Sequence, residues 1–204
     1  HYDGDSEVSR LNRHPLGAPF AVSAPTLQVF AAAGAVQRAS GGAFDVAVGR
    51  AVDEWGFGPS ERPRRVPAAH TVRELQRQPR GDALVLDPRA GSLTRHAPVQ
   101  ANLSGIAKGY GVDRAARALD TLGIADYMVE VGGEIRARGR NGEGRPWQLA
   151  IERPDAMPQR ALYLLPLADR SLATSGDYRN FFMHRGRRYS HEIDPASAAP
   201  VGHA

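Results

Sequence analysis

Two rhythms of hydrophobic and polar positions run along this chain. The helical rhythm is clear between Pro25 and Ala39, where Leu27, Phe30, Ala31 and Ala35 share one face and Gln28 and Arg38 lie opposite. Ser23 stands where an N-cap belongs and Gly41-Gly42 supplies the stop. A second apolar-periodic stretch runs from Val46 to Trp55 and ends at Gly56-Phe57-Gly58-Pro59. The Pro- and Arg-rich residues 60–69 that follow read as a mobile surface connection. Residues 71–78 suit a short helix. The strongest helix covers residues 109–122, with Val112, Ala115, Ala116, Leu119 and Leu122 as its buried face and Gly123 as its end.

The alternating rhythm of strands covers residues 83–86 and 92–95, paired around the turn-rich Asp87-Pro88-Arg89-Ala90-Gly91. It returns at 127–131 and 134–138 around Gly132-Gly133, at 147–152, and at 162–167. A last hairpin, 181–184 with 188–193, closes near Arg185-Gly186. Short strands mixed with a few helices predict an α+β fold with mixed or antiparallel sheets flanked by helices, rather than a doubly wound sheet. No internal repeat or low-complexity tract divides the chain, and residues 1–204 read as one domain.

Composition narrows the function classes. With 204 residues, 42% hydrophobic and 24% charged, the chain is long enough for a sizeable core and too apolar for disorder. No apolar run approaches the roughly 20 residues of a membrane span, and the first residues lack the basic, apolar, small-residue order of a signal peptide. The absence of cysteine excludes disulfides, thiolate zinc sites and cysteine nucleophiles while leaving the compartment open. A net charge of +4 comes with a single lysine, Lys108, among 26 basic residues. The arginines are scattered among 22 acidic residues instead of forming a stripe, which argues against a nucleic-acid partner.

Four segments could carry chemistry. Asn102-Leu103-Ser104-Gly105-Ile106-Ala107-Lys108-Gly109-Tyr110-Gly111 is a small-residue loop opening into the best helix, where free N–H groups and a lysine suit an anion; a close-packed turn with a surface lysine is the plainer reading. In His191-Glu192-Ile193-Asp194-Pro195-Ala196-Ser197, alternation puts His191 and Ile193 on one strand face. Asp194 and the Ser197 hydroxyl then converge across the Pro turn as hard oxygen ligands of the kind Mg²⁺ takes. An Asp capping its own turn and a satisfied sheet histidine explain the same residues. Residues 172–180 form a polar loop that could hold phosphate or merely cap a turn. In Gly41-Gly42-Ala43-Phe44-Asp45 an aromatic beside a carboxylate could flank a planar ring, or Phe44 could be core.

These segments, with Asp5-Ser6-Glu7-Val8-Ser9-Arg10-Leu11-Asn12, Trp55-Gly56-Phe57-Gly58 and 131–135, stand in the order and spacing of one family. The chain resembles the FAD:protein FMN transferases, the ApbE family, over essentially its whole length. Family members are usually longer at both ends, so the resemblance implies a chain lacking a leading strand and helix and a trailing strand-helix-strand portion. It further implies a Mg²⁺-dependent transferase that cleaves FAD, joins FMN as a phosphoester to a Thr or Ser of an acceptor flavoprotein, and releases AMP. On the same basis Tyr2, Ala43, Phe44, Asp45, Asn102, Lys108 and Leu172 match FAD contacts, and Gly105 (through its carbonyl), Asp194 and Ser197 match metal ligands. Asn102 stands where Asp is common, Ser197 where Thr is, and Ala198 where Gly is. His191 is the general-base candidate, with Asp194 as the alternative. Family habit places the reaction in the periplasm or at the cell envelope. The same pocket would also serve FAD pyrophosphatase activity or non-catalytic FAD binding.

Overall fold

The structure, a computed structural model, describes residues 3–60, 62–154 and 160–202. Helix α1 (Glu7–Arg13) starts where the Ser6 hydroxyl accepts from the Ser9 N–H, and it buries Val8 and Leu11. The i, i+3 spacing of Val8 and Leu11 after a serine is a helix signal, but polar neighbours mask it. Strand β1 (Pro19–Ala21) leads to helix α2 (Ala24–Ala39), whose Ser23 cap is as expected. The buried face of α2 is Val29, Phe30 and Ala33, not Leu27, Ala31 and Ala35 with Phe30. Two polar anchors set this rotation. Near the start, Glu7 accepts from Ser23 N and Oγ and from Thr26 Oγ1; near the end, Gln37 Nε2 donates to Asp45.

Helices α3 (Gly49–Glu54) and α4 (Ala69–Gln76) follow, then β2 (Leu84–Asp87) and β3 (Ser92–Arg95), antiparallel as predicted. The sheet order is β1-β3-β2. The buried Arg95 side chain donates to Val99 O at 2.8 Å and His14 O at 2.5 Å, tying β3 to the end of α1. Residues 62–68 are not a free tether. Arg64 donates to Phe181 O and Asn180 Oδ1, and its guanidinium lies 5.2 Å from the Phe57 ring centre.

Helix α5 (Ala107–Thr121) starts two residues before the expected boundary and buries Val112 and Ala116. Leu122, assigned to its apolar face, is 74% exposed because it is the C-cap, where the helix has already ended. Strands β4 (Tyr127–Val131) and β5 (Glu134–Arg138) pair around Gly132-Gly133. Strands β6 (Trp147–Glu152) and β7 (Ala161–Leu167) form a separate pair, and β8 (Arg170–Leu172) adds to β5. Ala137, Leu149 and Leu167 make the core here, with Ile135, Trp147 and Leu172 packed on it.

The chain then returns through β9 (Phe181–His184) and β10 (Arg187–Ser190), an antiparallel hairpin, and β11 (Ile193–Asp194), which pairs with β12 (Ala199–Pro200). The expected strand of 188–193 is thus broken: β10 ends at Ser190, and His191 lies between two ladders. The chain falls into two compact units, one holding the described residues up to 105 with those from 179 onward, the other holding the described residues of 106–178. All named sheet pairs are antiparallel. In the first unit, the end of α3 packs Val52, Trp55 and Phe57 against Phe182, Tyr189 and Ile193. Trp55 stacks on Tyr189 at 5.4 Å and Tyr189 on Phe182 at 5.3 Å, pairs worth about 0.5–1.5 kcal/mol each beyond the area they bury.

Candidate functional site

Two of the sequence motifs meet by backbone pairing. Asn102 N donates to Val46 O at 2.7 Å, Gly49 N donates to Gln100 O at 2.9 Å, and Val48 bridges Gln100 in parallel. Gly49 permits this approach, since a Cβ there would stand 2.6 Å from the Gln100 carbonyl oxygen. From the other side Asn12 Nδ2 donates to Ala101 O at 2.9 Å while Asn12 Oδ1 accepts from Ala101 N at 2.8 Å. The entry to the Gly-rich loop is therefore held between α1 and the segment after Phe44. Within the loop Asn102 is buried and its Oδ1 accepts from Ser104 N at 2.9 Å. Gly105 lies against Phe44: a Cβ on it would be 3.2 Å from a ring carbon.

Asp45 is 5% exposed, and its carboxylate accepts from Ala47 N at 2.8 Å, Gly81 N at 3.0 Å and Gln37 Nε2 at 3.2 Å. Three N–H donors are what a buried carboxylate without a basic partner requires. It lines a cleft with Val48, Leu75, Arg80, Ile193 and Pro195. Ala43, next to the half-buried Phe44, is exposed. Tyr2 lies outside the described residues.

Ile193, Pro195 and Ala198, which line the same cleft, belong to a turn of the chain. Asp194 Oδ1 accepts from Ala196 N at 2.9 Å and Oδ2 from Ser197 N at 3.2 Å, while Ala198 N donates back to Asp194 O at 2.9 Å. The Ser197 hydroxyl and the Ala196 N–H outweigh burial and hold the Asp194 carboxyl below its ordinary range. Two side chains grip this turn by its carbonyls. Trp55 Nε1 donates to Ala198 O at 2.9 Å, and Gln76 Nε2 donates to Ser197 O at 3.0 Å. Asp194 thus caps its own turn, the plainer of the two readings of this segment, with the Ser197 hydroxyl also bonded to its carboxylate, whereas Trp55, Gln76, Asn12 and Arg80 escaped the sequence reading. Trp55 and Asn12 sit inside quoted motifs, so a signal existed. His191 presents its ring edge to Phe57 at 6.4 Å, and its Nδ1 is buried without a hydrogen-bond partner.

Lys108 and Leu172 belong to the second unit. Lys108 is in the first turn of α5, where the helix dipole disfavours a cation, and an ion pair with Glu134 at 2.8 Å offsets this. Its Nζ also donates to Gly132 O at 3.0 Å. Leu172 pairs with Ile135 in the ladder of β5 and β8. The loop of 173–178 carries Tyr178, whose hydroxyl donates to Glu152 at 2.8 Å.

The fold is that of known flavin transferases. It matches the flavin transferase ApbE from Vibrio cholerae with a TM-score of 0.87 and 42% identity, covering 98% of this chain and 63% of that one. The ApbE protein from Thermotoga maritima matches with a TM-score of 0.89 and 32% identity, covering 98% and 64%. The sequence matches the ApbE family over residues 1–204, and the chain belongs to that family. The FAD:protein FMN transferase of Haemophilus influenzae is 42% identical across 99% of this chain, and that of Vibrio cholerae 43% identical across 98%. The chain spans about 60% of the length of these curated relatives.

Proposed function

We propose that the chain works as an FAD:protein FMN transferase that uses Mg²⁺ and joins FMN to a Thr or Ser hydroxyl of an acceptor flavoprotein at the periplasmic or cell-envelope side. The observation that carries this reading is the turn at 194–198, where the Asp194 carboxylate accepts from the Ala196 and Ser197 N–H groups and from the Ser197 hydroxyl, beside a cleft that Ile193, Pro195 and Ala198 line together with Asp45. Among the described residues no group of three or more His, Cys, Asp or Glu converges as a metal cage. Such a sparse oxygen set fits Mg²⁺, which keeps waters and shares its coordination with substrate phosphates, better than Zn²⁺ or Ca²⁺. Asp194, Ser197 and the Gly105 carbonyl would hold the ion, which when bound neutralises charge on the pyrophosphate.

The chain's own residues would do the rest. Ala43 and Phe44 flank the flavin nucleotide, with Tyr2, Asn102, Lys108 and Leu172 as further contacts. Asp45 holds the wall on which Phe44 stands. His191 takes the proton of the acceptor hydroxyl at Nε2, opposite the enclosed Nδ1, with Asp194 as the alternative acceptor. The hydroxyl oxygen bonds to the FMN-side phosphorus, the pyrophosphate P–O bond breaks, and AMP leaves with the electron pair.

Mass spectrometry of a Thr-containing acceptor peptide after incubation with the protein, FAD and Mg²⁺ tests this. The expected result is a peptide carrying FMN together with one AMP per modification. AMP with free FMN and an unmodified peptide would mean hydrolysis instead, and FAD retained without AMP would mean binding alone. Asp194→Ala should abolish AMP release while FAD still binds.

A further inference from the structure

The β9–β10 hairpin carries a basic surface. From residue 178 to residue 191 the chain has four arginines and no acidic residue. His184, Arg185, Arg187 and Arg188 are exposed at the tip, with Met183 57% exposed beside them. Arg64 joins from a distant part of the sequence: its Nη2 donates to Asn180 Oδ1 at 2.7 Å and its Nη1 to Phe181 O at 3.2 Å. Arginines that are scattered along the chain are thus gathered on one hairpin.

Three of these guanidiniums are laid on aromatic rings. Arg64 lies over Phe57, Arg187 lies 5.3 Å from the Tyr189 ring centre and Arg188 5.6 Å from that of Phe181. Among the described residues no carboxylate is within ion-pair distance of Arg64, Arg185 or Arg187. Phe57 and Tyr189 are themselves packed on Phe182 in the core, so a charge resting on them loses little freedom when it meets a partner. A fluid anionic surface answers to charge alone and gains little from such order. Carboxylates held at fixed places in a protein gain from it, because the planar guanidinium fork takes them in two-point contact.

This surface is continuous with the candidate base. Asn180, which takes Arg64 on its side chain, accepts at its backbone oxygen from His191 N at 3.1 Å. The Phe57 ring that carries Arg64 also stands 6.4 Å from the His191 ring. All of these residues lie in the first unit. An acceptor whose hydroxyl reaches His191 has its flanking residues beside these arginines. We propose that the hairpin tip and Arg64 form the docking surface for an acidic stretch of the acceptor protein next to the modified hydroxyl. This rests on the reading of His191 as the base of a transfer to protein.

The test is calorimetric titration of the chain, without FAD and then with FAD and Mg²⁺, using two Thr-containing peptides that differ only in whether Asp and Glu or Asn and Gln flank the Thr. The acidic peptide should bind about tenfold more tightly, the scale of a few exposed ion pairs acting together. The advantage should shrink as salt rises. It should vanish in the double variant Arg185→Glu with Arg187→Glu, which thermal melts should show to be folded and which should bind FAD as wild type does. Equal affinity of the wild-type chain for the two peptides, or a preference that survives the double reversal, would overturn the surface. Binding of phosphatidylglycerol vesicles or of a DNA duplex that is lost in the double variant, with no preference between the peptides, would assign the charge to a membrane or a nucleic acid instead. Preference for the acidic peptide with no FMN transferred to it would overturn the transferase reading and leave the surface standing.

Discussion

The indole N–H of Trp55 reaches the carbonyl of Ala198 across 143 positions of sequence, at 2.9 Å and away from water. Ala198 is one of the few non-glycine residues at positive φ, 52°, so the turn is held in a conformation that an unaided chain would leave. Trp55→Phe keeps an aromatic in the stack and strands the carbonyl. We expect a loss of about 1–3 kcal/mol in urea unfolding, the cost of a buried unpaired acceptor. Below its melting temperature the variant should also bind Mg²⁺ more weakly. Full stability and unaltered Mg²⁺ affinity would show that the hydrogen bond does not shape the turn.

Asp45→Asn presents an NH₂ group to donors that need an acceptor. The Gly81 and Ala47 N–H groups and Gln37 cannot all be satisfied by one carbonyl oxygen. Destabilisation of about 2–4 kcal/mol is expected. A denaturation midpoint equal to wild type would contradict the assignment of Asp45 as the anchor of the cleft wall.

Acid should weaken the fold through Glu7 and Asp194. For Glu7, burial raises the pKa, but the hydrogen bonds from Thr26 and Ser23 together outweigh it, and the net shift is downward from 4.5. Asp194 is likewise lowered from 3.8, by Ser197 first and then Ala196. A depressed folded pKa contributes stability that is present above the unfolded value and is lost as pH falls through the folded one. Stability should therefore decline below about pH 4.5, and Glu7→Gln should flatten that decline while lowering stability near neutrality. A pH profile of the melting temperature with the same slope in both proteins would count against this account.

Lys108 carries its own test. Held by Glu134 and the Gly132 carbonyl, it is a tethered charge. If it contacts the dinucleotide phosphates, Lys108→Ala weakens FAD more than riboflavin, with a difference that falls at high salt. Equal losses for both ligands would trace instead to a disturbed start of α5, and no loss would leave Lys108 as a partner of Glu134 alone.

What the sequence disclosed follows from where local signals suffice. The strands β4, β5 and β6 and the Ser23 cap were readable because alternation and capping are properties of neighbours. The phase of α2 was not, because it is imposed by Glu7 and Asp45 from outside the helix. The ends of helices misled for a related reason: Leu122 fits the apolar face by spacing, but the helix stops before it. In the site, Asp194 and Ser197 were legible because a Pro turn joins them. Gln76 and Asn12 act on partners 121 and 89 positions away, so no local pattern announces them.

Asn12 offers Ala101 the donor and the acceptor that a neighbouring strand would offer, from a helix. A carboxylate there could only accept, and a longer amide would overshoot, so one side chain of one length carries the connection. Because that side chain grows from α1, the entry to the Gly-rich loop is fastened directly to a helix, by the two-way backbone pairing that elsewhere only a strand supplies.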